Sequence, residues 1–228
     1  MIRWVELDRT SVPDEGGELR LMQRGAEFSI MAGSNELMNS RLSGSEEALA
    51  TLVLQRLAGR PAPRLLIGGL GMGFTLRAAL QVASAEARVS VVELVPAVVA
   101  WARGPLAGLF AGSLEDPRVS VVEADVGEVI GAQPAAWDAI LLDVDNGPEG
   151  LTRRANDRLY DAGGLAAARA ALRPGGVLAV WSSAPHPAFT KRLREAGYGV
   201  HEVPVRARQG RRGSRHMIWL AMRPEGAG

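Results

Sequence analysis

The segment LLIGGLGMGFTLRAAL, residues 65–80, constrains the fold of this 228-residue chain more than any other stretch. An apolar run enters Gly68, Gly69, Leu70, Gly71, Met72 and Gly73, and a helical pattern follows. Glycines let a backbone turn sharply and come close to a ligand, and the first turn of a helix leaves N–H groups free to meet it. Downstream, the apolar runs Leu65–Ile67, Val89–Val92, Val119–Val122, Ala139–Leu142 and Val177–Trp181 are short and lack strict alternation. That is the pattern of strands buried on both faces. Between them the spacing predicts helices over Thr75–Ala83, Ala97–Leu106, about Leu159–Leu172, and Pro187–Ala196. A βαβα alternation predicts an α/β fold: a doubly wound, mainly parallel sheet with helices on both faces. Gly199–Val205 and His216–Ala221 flank a basic, glycine-containing loop and predict an antiparallel pair closing the sheet.

The first third is different. Ile2–Leu7, Glu18–Gln23 and Ala26–Ala32 read as short strands, the last ended by Gly33-Ser34-Asn35. Residues 1–38 are therefore expected to form an antiparallel β extension, and residues 39–228 the α/β domain. Ser45 is a candidate cap for a helix carrying Ala48, Leu49, Leu52, Val53 and Leu57 at helical spacing, ending at Gly59 before Pro61.

Composition removes several chemistries. There is no cysteine, so thiol nucleophiles, disulfides and Cys-ligated metals are excluded. Lys191 is the one lysine and lies in a polar helix, which argues against Schiff-base chemistry. Lys and Arg number 26 against 25 Asp and Glu, so no overall field points to a polyanionic partner. No apolar run reaches the ~20 residues of a membrane span. The N-terminus lacks a signal-peptide pattern, and a cytoplasmic protein is the expectation.

Candidate ligand residues fall at strand ends. The spacing Gly69-x-Gly71-x-Gly73 differs from the dinucleotide fingerprint. Glu93 ends the next strand, where a carboxylate accepts from both hydroxyls of a ribose. Asp125, followed by Val126, ends the third and suits the amine of an adenine, or else caps the next helix. Asp143 projects over the sheet after AILL, placed to take a proton from a substrate amine or to hold a cationic nucleophile. Asp145 lies two residues on. With no histidine or further carboxylate nearby, a metal is not expected.

The order of these segments resembles the class I S-adenosylmethionine-dependent methyltransferase superfamily, and within it the spermidine synthase-like group. IGGLGMGFTLR is similar to its nucleotide loop, VVELVPAVVAWAR to its ribose-binding strand and helix, and EDPRVSVVEADVGEVI to its adenine segment. WDAILLDVDNGPEG resembles the catalytic strand and loop, and LRPGGVLAVWS the fifth strand. The resemblance implies a seven-stranded Rossmann-like methyltransferase sheet with an antiparallel last strand. It implies Gly69, Gly71, Gly73, Glu93, Asp125 and Val126 as cofactor-binding, and Asp143 as catalytic.

This chain departs from the aminopropyltransferases of that group. They carry an acid inside the glycine loop, where this chain has Leu70. Their Asp-x-x-Asp-Pro is Asp143-Val144-Asp145-Asn146-Gly147-Pro148 here, and their Tyr-His-Glu is replaced by LMNSRLSGSEEAL. Without the loop acid, intact S-adenosylmethionine is the expected cofactor and methyl transfer to a small molecule the expected reaction. Aminopropyl transfer from decarboxylated S-adenosylmethionine to a polyamine is the alternative. A non-catalytic nucleotide-binding protein and an NAD-dependent reductase are the remaining readings. Asn39, Arg41, Ser45 and Glu46 are candidates for the acceptor pocket, with Asp145. His186 and the cluster Arg206, Arg208, Arg211, Arg212 and Arg215 are read as loop residues, with nucleic-acid binding disfavoured. A homodimer through the N-terminal strands is conceivable.

Overall fold

The computed structural model describes residues 2–13, 17–144, 147–148, 156–207 and 214–226. The chain opens with four antiparallel strands in sequential order, β1 (Val5–Ser11), β2 (Glu18–Arg24), β3 (Glu27–Ala32) and β4 (Asn35–Asn39). β4 was not expected. Gly33, at φ 56°, does not end the sheet but turns the chain into a further hairpin strand. A lone Gly-Ser-Asn reads equally well as a stop or a tight turn, and only the pairing partner decides. The first strand also lies later than its alternation predicts, at Val5–Ser11 rather than Ile2–Leu7.

After α1 (Gly44–Arg56) the α/β domain follows: β5 (Arg64–Gly68), α2 (Phe74–Val82), β6 (Arg88–Glu93), α3 (Pro96–Arg103), α4 (Ala107–Phe110), β7 (Val119–Glu123), α5 (Val126–Ala132), β8 (Trp137–Leu142), α6 (Asp157–Tyr160), α7 (Ala162–Ala171), β9 (Leu172–Ser182), α8 (Pro187–Glu195), β10 (Gly199–Arg206) and β11 (Arg215–Met222). Seven strands pair in the order β10-β11-β9-β8-β5-β6-β7. β11 is antiparallel to both neighbours and the other pairings are parallel. This is the doubly wound sheet expected, with its antiparallel last strand, beside an N-terminal antiparallel sheet.

The strand residues explain the layering. All six residues of β8 are buried, as are four of the five in β5, because helices cover both faces. One face packs Ile67, Leu141 and Ala179 with α1, α2 and α3; the other packs Leu66, Ile140 and Val180 with α5, α7 and α8. The helix expected over about 159–172 is two pieces. Asp161 ends α6 and its side chain accepts from Gly164 N at 2.8 Å, restarting the chain as α7. Asp, as a cap former, competes with a continuous helix.

Two ties fix the N-terminal sheet over the domain. Trp101 Nε1 on α3 donates to Asp8 Oδ2 at 2.7 Å, and Leu19, Leu21 and Ile30 join the larger core. Among the described residues no helix is long and apolar enough to cross a membrane.

Candidate active site

The glycine loop is held by its neighbours on both sides. Gly69 N donates to Val92 O at 2.9 Å, and Asp143 N donates to Gly68 O at 3.0 Å, so the ends of β6 and β8 clamp the turn. Gly69 has φ 88°, and a Cβ there would lie 2.6 Å from Asp143 O. Gly73, at φ 76°, opens α2 and would press a side chain into the Phe110 ring. Both positions require glycine for conformation and for room.

Leu70 is the informative member of this loop. It is buried in the core, outside the wall of the cleft, whereas Gly69 and Gly71 line it. The Leu70 side chain therefore does not form part of the cleft wall.

One cleft at the carboxyl ends of the strands brings together Gly69, Gly71, Glu93, Asp125, Val126, Glu46 and Asp143. Six of the expected ligand residues thus share a wall with one residue from the expected acceptor region. Glu93 is 9% exposed. Its Oε2 accepts from Leu70 N and its Oε1 from Val95 N, each at 2.9 Å. Burial pushes its carboxyl above the usual range, and the backbone N–H groups pull it back. The backbone N–H groups acting on it are those of Val95, Leu70, Gly71 and Leu94, so the carboxylate ties the glycine loop to the end of β6. Asp125 does the work of a helix cap, accepting from Gly127 N at 2.7 Å, and also lines the cleft. The two readings of Asp125 are therefore compatible.

Asp143 and Glu46 line the same cleft and act on each other's charge. Asp143 Oδ2 accepts from Thr75 Oγ1 at 2.6 Å. Desolvation and then the neighbouring Glu46 charge raise its pKa to about 7, against a lowering by the Thr75 hydrogen bond. Burial raises Glu46 as well. Two acids that cannot both ionise cheaply hold a proton or a cation between them.

Ser45 is not the cap of α1; Ser43 occupies that position without a side-chain capping bond. Ser45 is fully buried, donates to Glu46 Oε2 at 2.6 Å and lies 2.9 Å from His216 Nδ1. The sequence pattern could not separate two serines two residues apart at a helix start. Asn39 and Arg41 stay outside the cleft; Asn39 donates to Glu36 and Arg41 lies 3.3 Å from the same carboxylate. Asp145 lies outside the described residues, as do Arg208, Arg211 and Arg212. His186 caps α8, accepting from Phe189 N at 2.9 Å.

Sequence reasoning missed Thr75, Met38 and His216. Met38 Sδ receives Met72 N at 3.1 Å, laying β4 over the glycine loop. Val12, Leu19, Ile30 and Leu37 from the N-terminal sheet, with Trp181, supply the apolar side of the cleft. No local signal marks these residues, because their role arises only when the small sheet folds over the larger one.

Comparison with known proteins places the chain among related sequences. The spermine/spermidine synthase domain model matches residues 44–194. The polyamine aminopropyltransferase of Mycobacterium tuberculosis is 35% identical over 145 residues, 60% of this chain and 27% of that protein. Polyamine aminopropyltransferase 2 of Pseudomonas aeruginosa is 32% identical over 174 residues, 69% of this chain and 47% of that protein. The chain thus spans less than half the length of either relative. In structure, a spermidine synthase crystallised with the transition state analogue AdoDATO superposes with a TM-score of 0.76 at 18% identity, covering 95% of this chain and 73% of the other. That likeness speaks for the fold.

Proposed function

The chain belongs to the spermine/spermidine synthase domain family, and on that premise we propose that it transfers an aminopropyl group from decarboxylated S-adenosylmethionine to an amine acceptor of the polyamine class. The observation that carries this reading is the Glu46–Asp143 pair facing one cleft with the glycine loop and Glu93. A pair of acids favours the ammonium of a decarboxylated cofactor or of an amine acceptor, and disfavours the carboxylate of intact S-adenosylmethionine.

This reverses the expectation of methyl transfer. That preference rested on Leu70 standing where an acid would repel the cofactor's carboxylate. Leu70 faces the core, and the acids that face the cleft come from α1 and the end of β8 instead. The names of the curated relatives point the same way.

In this reading Gly69 and Gly71 admit the nucleotide close to the backbone, Glu93 holds the ribose hydroxyls, and Asp125 with Val126 lines the adenine side. Asp143 takes the proton of the acceptor ammonium, exposing the nitrogen lone pair. That pair attacks the methylene carbon next to sulfur, and the C–S bond breaks with its electrons left on sulfur. The sulfonium charge is consumed and methylthioadenosine leaves. Positioning accounts for most of what such a direct displacement needs.

Calorimetric titration tests the cofactor. Decarboxylated S-adenosylmethionine is expected to bind at least about tenfold more tightly than the intact form, roughly 1.4 kcal/mol. Release of S-adenosylhomocysteine from intact cofactor, with no methylthioadenosine from the decarboxylated form plus an amine, would restore methyl transfer.

A further inference from the structure

The acceptor ammonium yields one proton for each group transferred, and the Glu46–Asp143 pair that receives it lies in a desolvated cleft. The pair must be emptied before the next turnover. From Glu46 a continuous hydrogen-bonded path leads away from the cleft. Ser45 Oγ donates to Glu46 Oε2 at 2.6 Å, and His216 Nδ1 lies 2.9 Å from that Ser45 Oγ. A serine hydroxyl has one proton to give and lone pairs to receive with. When Glu46 holds the proton it donates to Ser45 Oγ, and Ser45 donates its own proton to the bare Nδ1 of the Nε2–H tautomer, so that a proton passes from Glu46 to Nδ1.

Resting on the transfer reading above, we propose that His216 and Ser45 form the outlet through which the proton taken from the acceptor amine leaves the Glu46–Asp143 pair. His216 is a positioning and relay residue and does not touch the substrate. The proton balance is complete. The ammonium gives one proton to the carboxylate pair, Glu46 passes one to Ser45 as Ser45 passes its own to His216 Nδ1, and the partly exposed imidazole ring releases one to water.

The surroundings suit this task. Ser45 is fully buried, so water does not compete for its two bonds. The Trp181 ring meets the imidazole edge-to-face at 4.9 Å and fixes its orientation. His216 pairs with Val205 on β10, and one step along the hairpin Arg206 pairs with Arg215. On the α1 side the charged groups are Glu46 and Glu47, and Gly44 N donates to Ala207 O at 3.0 Å, joining the helix start to the hairpin. Burial lowers the His216 pKa below the ordinary histidine value, which favours the neutral ring that can accept a proton at neutral pH.

Two measurements separate the relay from the transfer reading. With three histidines in the chain, the His216 titration is resolvable by NMR. Glu46→Gln removes a negative charge two hydrogen bonds away and should lower the His216 pKa. Adding Ser45→Ala should remove most of that dependence. A His216 titration indifferent to Glu46 overturns the relay. In steady-state assays of methylthioadenosine release, His216→Ala should slow turnover about tenfold near pH 7, with nucleotide binding unchanged. Imidazole should restore the rate in His216→Ala and not in Ser45→Ala, and His216→Gln, which keeps a donor but cannot titrate, should stay slow. A wild-type rate and pH profile in His216→Gln, or failure of imidazole to rescue His216→Ala, overturns the proposal. A coupled titration with no methylthioadenosine from any amine overturns the transfer reading and leaves the proton path standing.

Discussion

Strand β8 carries an aspartate near each end, five residues apart, and the chain treats them in opposite ways. Asp138, 3% exposed, lies at the amino end. Its Oδ1 is 2.6 Å from Arg60 Nη1, and its Oδ2 is 3.0 Å from Arg173 Nη1 and 2.8 Å from Arg64 N. Each oxygen is paired, and the charge is neutralised by two guanidinium groups. Asp143 lies just past the carboxyl end and faces another acid with one hydroxyl for company. A buried charge is tolerated when paired and costs stability when it is not. The amino end of this sheet neutralises its buried acid, while the carboxyl end leaves its acid beside a second one at an electrostatic cost.

The largest effect that would break the contrast is expected at Asp138. Asp138→Ala leaves two arginines and a backbone N–H without their partner and should cost about 3 kcal/mol of folding stability, read by denaturant unfolding. A neutral outcome would mean that the amino-end network is ornamental. Asp143→Asn should do the reverse. Turnover should fall by about 10²-fold while the folded state is retained, and an active variant would remove Asp143 from the mechanism.

The same variant tests the electrostatics through pH. The folded-state pKa of Asp143 is raised to about 7, above its ordinary carboxylate value. Between those limits the folded protein still holds a proton that the unfolded chain has released, so rising pH erodes stability. Asp143→Asn should therefore be more stable than the parent near pH 8, on the order of 4 kcal/mol, with the gap closing as the pH falls towards about 4. A constant gap would show that burial, not ionisation, sets the difference. The smallest expected change is in Glu46→Gln, which removes the neighbouring charge and should lower the Asp143 pKa below about 7, seen as an acid shift in the pH–rate profile.

Much of the fold was legible because its signals are local. Apolar runs without alternation mark β5, β6 and β8, and positive-φ glycines mark the turn between β5 and α2. Glu93 and Asp125 were readable for the same reason: each closes a strand, and strand ends in a doubly wound sheet converge on one crevice. β4, the break between α6 and α7, and the choice of Ser43 over Ser45 were not readable, since each depends on which of two locally acceptable conformations the neighbours reward.

The sequence by itself determined the parallel sheet, the glycine turn and the convergence of strand ends, because backbone geometry and burial period are written into consecutive residues. Tertiary structure alone decided which side chains face the cleft. It turned Leu70 into the core, set Glu46 against Asp143 across 97 positions, and joined Ser45 to His216 across 171. Charge interaction and hydrogen bonding act through space over a few ångströms, and chain separation carries no record of that distance until the two sheets have packed.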